Sequence, residues 1–399
     1  MARSDLVTRP LTVDDFGESW GLGLEAFGDL PPGRPGPTPE SSVATGRHPW
    51  GTFDDGRLVA RVVGREYRSW FGGAEVPTCG VAGVTVVAER RGDGLLTDLV
   101  RALLVEARER GEVLSTLFPT APGIYRRLGY ELIGALDTVE LPMAELAAVR
   151  APAGVTTRRA TAGDFDAVRR VYETWAAAQN GPLTRRGPSF VASAEEFVGA
   201  FTGVTLAVDA SGEVVGFASW QRGQGYDPAT STLEADDLLA LGADAYRALW
   251  RVLGSFSAVT GRLRVSTSGA DVARLVLPAG TWRVVDTHPY MLRLLDVAGA
   301  FSARSFDGSA EAVLAVTGDP LGLLDGSYRL RVSGGRTTCE RVEATDAATF
   351  TPQGLALAYA GAQSCANLRM VGHLAGPTTY DATLDRLLGG RRVHIRDYF

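Results

Sequence analysis

The stretch Arg9-Pro10-Leu11-Thr12-Val13-Asp14-Asp15-Phe16 returns later as Arg158-Arg159-Ala160-Thr161-Ala162-Gly163-Asp164-Phe165, with Arg, Thr, Asp and Phe at the same four spacings. Each copy reads as a strand end, a cap whose Thr or Asp accepts hydrogen bonds from free first-turn amides, and a helix; the second helix is expected over Ala167–Ala178. The downstream segments correspond too. TFDDGRLVARVVG around Asp54–Gly56 and LAVDASGEVVGFASW around Asp209–Gly212 both read as hairpins turned by Asp and Gly. The chain therefore carries two copies of one α/β module.

The copies diverge at the end of the next strand. In the first, Gly80–Val87 runs into Ala88-Glu89-Arg90-Arg91-Gly92-Asp93-Gly94 and then a helix from Leu95 to Arg110. The second passes from Leu238–Leu241 into its helix with no arginines and no paired glycines, so chemistry is expected in the first copy and scaffolding in the second. From about Asp286 the pattern changes to alternating strands with Asp-Gly and Gly-Gly turns, then the helix-like TPQGLALAYAG and ATLDRLLGG. The chain thus divides into three domains, 1–150, 151–285 and 286–399, all α/β or α+β in style.

Composition narrows the chemistry. The 399 residues are 45% hydrophobic, and their net charge of −6 is spread without a basic block, which argues against a nucleic-acid or membrane patch and for a cationic or neutral small-molecule partner. Met1–Phe16 lacks the apolar core of a signal peptide and no later run approaches a membrane span, so a cytoplasmic location is expected. Cys79, Cys339 and Cys365 are too few and too scattered for a disulfide framework or a thiolate metal site, and read as small buried residues. All 40 basic residues are arginine; without lysine there is no Walker phosphate loop, pyridoxal Schiff base or kinase strand lysine. No His-Glu-x-x-His or Gly-x-Ser-x-Gly occurs, and His48, His288, His373 and His394 read as surface or capping residues. No metal is expected.

The glycine turn joins a strand to a helix, where unpaired amides meet the positive end of the helix dipole. That arrangement suits an anion. Gly92 and Gly94 leave room for a phosphate, and Arg90 and Arg91 can neutralise two charges. A Rossmann reading ranks second: Thr97 stands where its third glycine belongs, and Glu112 precedes the next strand instead of ending it.

With the strand VAGVTVV, the turn Arg91-Gly-Asp-Gly94-Leu95-Leu96 and the later GIYRRLGYE, the chain resembles the GNAT acetyltransferases. The Gly-Leu-Leu ending, the duplicated module, a third domain like sterol carrier proteins and the terminal Phe resemble the Eis (enhanced intracellular survival) branch over essentially the whole length. The resemblance implies acetyl-CoA as co-substrate, a small-molecule amine such as an aminoglycoside or polyamine as acceptor, and a hexamer. Val84, Thr85 and Val86 would pair with pantetheine as an added strand does. Arg91, Gly92, Asp93, Gly94, Leu95 and Leu96 would meet the pyrophosphate, with Thr120 also on the cofactor side. Tyr125 matches the general acid and the Phe399 carboxylate the general base, while Phe27, Asp29 and Tyr398 would line the acceptor pocket. The chain departs from the family at Leu96 for a small residue, at Gly83 for a bulky aromatic and at Tyr398 for an acid.

A phenol with ordinary pKa near 10 can donate to a thiolate whose thiol is near 8.5. An α-carboxylate near 3.5 is a weak base and must also act through its charge. Asp29 could hold a cation, and the Pro-, Gly- and Ser-rich Pro31–Pro49 reads as a mobile loop over the acceptor. The rival class is a non-catalytic binding protein whose third domain holds an apolar ligand.

Overall fold

The computed structural model describes residues 6–30, 36–190, 193–277, 282–344 and 346–399. The repeated motif is a capping device. The Asp15 carboxylate accepts from the Thr12 amide at 2.8 Å and takes both ends of Arg9 at 2.8 and 2.7 Å, and Asp164 does the same with Thr161 at 2.9 Å and Arg158 at 2.9 and 2.6 Å. The Arg9 bond holds the Asp15 carboxyl down to about 2.

Each copy lays down six strands. The first gives β1 (Leu6–Pro10), β2 (Arg47–Asp54), β3 (Arg57–Phe71), β4 (Ala74–Val86), β5 (Leu114–Leu117) and β6 (Glu131–Pro142). The second gives β7 (Val155–Arg159), β8 (Gly203–Asp209), β9 (Val214–Arg222), β10 (Thr232–Ala240), β11 (Arg262–Thr267) and β12 (Arg283–Leu294). They form one sheet in the order β1-β2-β3-β4-β5-β12-β6-β11-β10-β9-β8-β7. Exchanging each strand with its counterpart leaves that order a palindrome, because the two copies have traded their last strands. Neither half-sheet closes alone.

The expected boundary at 285/286 falls inside β12, which pairs with β5 and β6 and so belongs to this sheet. Its inner half, Tyr290–Leu294, is buried throughout, and a continuous buried run does not reveal which sheet it joins.

Helices α1 (Phe16–Phe27), α2 (Pro39–Ser42), α3 (Leu95–Glu109) and α4 (Pro122–Arg126) serve the first copy; α5 (Phe165–Ala177), α6 (Ala194–Gly199) and α7 (Ala243–Gly254) serve the second. Part of the stretch read as a mobile loop is regular: Thr38 caps α2 and Arg47 opens β2, while 31–35 lie outside the described residues. Helix α3 buries Leu95, Leu99, Leu103 and Ala107 along one stripe, each large side chain stabilising by about 1.5–3 kcal/mol. Among the described residues no helix is long and apolar enough to cross a membrane.

A second sheet holds β13 (Ala310–Val316), β14 (Gly326–Ser333), β15 (Arg336–Val342), β16 (Ala348–Phe350) and β17 (Leu374–Ala375), ordered β15-β14-β13-β16-β17. Around it lie α8 (Val297–Ala303), α9 (Pro352–Ala360), α10 (Cys365–Met370) and α11 (Asp381–Leu388). All three cysteines are free and buried. Helix α9 is apolar on every side and buries eight residues, filling the space between this sheet and β6 and β12.

A buried ion pair joins the two sheets. Arg293 of β12 takes both oxygens of Asp319 at 2.7 and 2.9 Å, and also donates to the Leu128 carbonyl in the turn after α4. Gly129 in that turn has φ +85, and a Cβ there would strike the same guanidinium. Arg293→Ala should cost about 3–5 kcal/mol in urea unfolding by leaving Asp319 buried without its partner, and the double change Arg293→Met, Asp319→Leu should recover most of it. A single-variant loss under about 1 kcal/mol would mean the pair is dispensable.

Candidate active site

Strands β4 and β5 run parallel, but their pairing covers only Thr78–Gly80 against Leu114–Thr116. Beyond Gly80 they part. The β5-facing edge of Val81–Val86 is left open, and across β4 the register with β3 slips between Arg61 and Val63. Gly83 stands in the slip at φ +58, where a side chain would be strained. An open edge beside a bulge can accept an added extended chain.

At the mouth of this wedge lies the glycine turn. Gly92 and Gly94 have φ +97 and +81, and a Cβ on either would point into open space. Gly94 caps α3, and no backbone acceptor for the amides of Gly92, Gly94, Leu95 and Leu96 is found among the described residues. The two arginines differ in duty. Arg90 is bound to Asp54 and, at 2.6 Å, to Asp93, so both it and Asp93 brace the turn. Arg91 is exposed, and among the described residues it is tethered only through Nε to the Val86 carbonyl at 3.3 Å.

On the far wall stands Tyr125 of α4. Its ring joins the cluster that holds Leu95 and Leu99, with Val84, Val86 and Leu96 against it. The ring is 7% exposed, its hydroxyl makes no hydrogen bond among the described residues, and burial pushes its pKa up to about 12, not the ordinary 10. Thr120 is exposed on the link before α4.

The chain end reaches the same place. The Phe399 ring packs on Tyr67 at 4.9 Å, Phe118 at 5.5 Å and Tyr290 at 6.3 Å. Its edge lies 2.9 Å from where a Gly80 Cβ would be, at the point where β4 leaves β5. Tyr398 is 62% exposed, between Phe118 and His288. Phe27 and Asp29 stand exposed at the end of α1. Neither lines the cavity beside the bulge, which is bounded by Trp20, Arg47, Arg61, Arg65, Ala82 and Gly83 among others.

Residues 8–133 and 169–294 each match the description Acetyltransferase (GNAT) domain, and 297–396 match Sterol carrier protein domain. An uncharacterized N-acetyltransferase of Streptomyces avermitilis is 32% identical over 81% of both chains. The chain belongs to the GNAT N-acetyltransferase family. A GCN5-related N-acetyltransferase of Kribbella flavida shares the fold at TM-score 0.84 and 27% identity, over 99% of each chain. Eis1 of Mycobacterium abscessus does so at TM-score 0.78 and 22% identity over 99% of this chain and 100% of its own, so the architecture of this acetyltransferase is Eis-like.

The second GNAT module of the acetyltransferase keeps the wedge and fills it. β10 and β11 pair over Thr232–Ala235 and then part, with a register slip at Asp236 like that at Gly83. Arg396, from the chain end, inserts its guanidinium there, donating to the carbonyls of Asp236 and Ser266 on the two strands and to Asp237 at 2.9 Å. Asp397 beside it accepts from Arg185 at 2.7 Å and Tyr172 at 3.1 Å, and Arg185 also grips Asp237. Burial alone would raise the Asp237 carboxyl; the two guanidinium groups hold it far below the usual carboxylate range. The link from β10 to α7 is only Leu241–Gly242, and Gly242 is extended, leaving no cup for a phosphate.

Sequence reasoning missed Tyr67, Gly80, Phe118 and Tyr290, which seat the terminal ring, because they lie on three strands and a loop that only the sheet brings together. It also misread His394. That ring is buried against Trp175 at 4.7 Å and bonded to Asp271 at 3.2 Å, helping to fasten the tail. Arg396→Ala should loosen the tail while Asp237 keeps Arg185; carboxypeptidase should release Phe399 at least about tenfold faster than in wild type, as a loss of ~1.4 kcal/mol of docking implies. Equal release rates would mean that Arg396 does not hold the terminus.

Proposed function

We propose that the protein transfers the acetyl group of acetyl-CoA directly to a primary amine of a small molecule, in the first GNAT module. The observation that carries this reading is the open β4 edge with the free amides of Gly92, Gly94, Leu95 and Leu96 at its mouth and Tyr125 on its far wall. These residues suit acetyl-CoA: an extended pantetheine could pair along Val84–Val86, and a diphosphate could take the turn amides and Arg91. Leu96 in place of a small residue leaves these main-chain donors untouched.

Bound acetyl-CoA supplies a thioester carbonyl as electrophile. The ammonium first gives up one proton to become the nucleophile; its nitrogen then gains the bond to the acetyl carbon as the carbon–sulfur bond breaks, a second proton leaves nitrogen and one reaches sulfur, so that one proton is released overall. The Tyr125 hydroxyl donates to the departing sulfur. Its raised pKa keeps it protonated throughout the working range, at the cost of a poorer pKa match to a thiol near 8.5. The Phe399 carboxylate attracts and orients the ammonium and relays its proton, directly or through water, in the role its packing at Gly80 supports. A cationic acceptor such as an aminoglycoside or polyamine would rest on Asp29 and the net charge of −6 alone.

The third domain supports this reading over a lipid-binding one, since its interior is filled by α9 and its neighbours. Thiol release from acetyl-CoA with an amine panel tests the reaction, and silence across every amine would overturn it. Tyr125→Phe should lower kcat about 10²- to 10⁴-fold with little change in coenzyme A affinity; equal losses in both would make the ring a packing residue. Because burial holds the Tyr125 pKa near 12, kcat/KM should show no descending limb from this group near pH 10, and such a limb, absent in Tyr125→Phe, would contradict that environment. One residue added after Phe399 should depress turnover without unfolding the chain; an unchanged rate would remove the carboxylate from the mechanism.

A further inference from the structure

The cavity beside the bulge is small, about 170 Å³, and three arginines face it. Arg61 lies across the slipped register from Thr85, and its guanidinium is 3.8 Å from the place a Gly83 Cβ would occupy. Arg47 and Arg65 sit directly opposite each other on β2 and β3. Like charges in such a pair repel and weaken a sheet.

Nothing acidic answers them. Arg61 donates to Ser19 Oγ at 2.9 Å, Arg47 to the Ser41 carbonyl at 3.0 Å and Arg65 to the Tyr67 hydroxyl at 3.5 Å, and among the described residues none of the three has a carboxylate partner. The buried Nε atoms of Arg61 and Arg65 have no acceptor among the described residues. Burial, and then the mutual repulsion of the guanidinium groups, draws down the pKa of Arg47 and Arg61. The fold is shaped around this cluster: Gly23, the poorest helix former short of proline, sits inside α1, and a Cβ there would lie 2.4 Å from the Arg61 guanidinium.

Ala82 and Gly83 belong both to this cavity and to the open edge of β4. Gly80, under the Phe399 ring, is two residues away, roughly 7 Å along the strand. A molecule in the cavity would thus present one end to the acetyl-transfer position and the other to the arginines.

We infer that the acceptor is an amine carrying an anionic group, carboxylate or phosphate, that Arg47, Arg61 and Arg65 hold while its nitrogen faces the β4 wedge. This rests on the acetyl-transfer reading and reverses the sign of partner that the chain's net charge suggests. Overall charge governs approach from a distance; three guanidinium groups in a half-buried cavity govern what stays.

The test pairs matched amines, phosphoethanolamine against ethanolamine and β-alanine against propylamine, with spermidine as the polycation. Acetylation is followed by thiol release, and binding by calorimetry with coenzyme A saturating its own site. One or both anionic amines should exceed their uncharged partners in kcat/KM by at least about tenfold, the lower range for charge-assisted hydrogen bonds. Which pair shows the larger ratio separates phosphate from carboxylate. In Arg61→Gln and Arg65→Gln that ratio should fall toward one, and calorimetric binding of the preferred anionic amine should weaken by a similar factor. Spermidine or the uncharged amines turning over as well as the anionic ones, with ratios untouched in both variants, would overturn the inference while leaving acetyl transfer intact. Phosphoethanolamine or β-alanine bound in an Arg61-dependent way, with no thiol released from any amine, would uphold the anion pocket and bring down acetyl transfer instead.

Discussion

Because β10 and β11 part after Ala235, the second module presents the same kind of wedge as the first, and the Arg396 guanidinium closes it by bridging the carbonyls of Asp236 and Ser266. An arginine buried this deeply holds its place only when its charge is answered, which Asp237 does at 2.9 Å. With Arg396 fixed, Asp397 falls against Arg185 and Tyr172, and the last residue has little freedom but to cross to β4 and seat its ring on Gly80. The second copy is thus no inert remnant. Its former cleft has become the socket for the end of the chain.

The exchange of β6 and β12 makes such a socket useful. Since each copy completes the other's half of the sheet, the two wedges sit at fixed positions in one body, and a tail anchored in one can be aimed into the other. β12 and the third domain act on the opposite wall. Arg293 and Gln353 donate to the carbonyls of Leu128 and Arg126, just after α4 and at its end respectively, so the short helix that carries Tyr125 is braced from outside its own module. Asn180 ties the parts together at the back, bonding Gly72 of the first copy, Ala360 of α9 and the tail at Arg392.

Local devices were legible in the chain. The Arg-Thr-Asp-Phe repeat is a cap complete within eight residues, and the glycine turn announces its backbone because Gly92 and Gly94 need positive φ. Long-range pairings were not. That Arg47 meets Arg65, that Arg61 faces Gly23 of α1, or that β12 leaves the third domain's pattern to join β5 depends on register between distant strands, which no local pattern carries. The same blindness explains His394: a residue near a chain end reads as exposed until its partners Asp271 and Trp175 are known. Net charge is uninformative for a related reason, since 46 acids against 40 bases say nothing about which of them share a cavity.

The claim at the centre is that one wedge is open for coenzyme A and its twin is shut by the chain's own arginine. Amide hydrogen exchange on the intact protein, with and without coenzyme A, tests it most directly. Added protection is expected at Val81–Val86 and Gly92–Leu96, with none at Asp236–Ala240 or the start of α7. Protection in the second module, or no change anywhere at saturating coenzyme A, would contradict it.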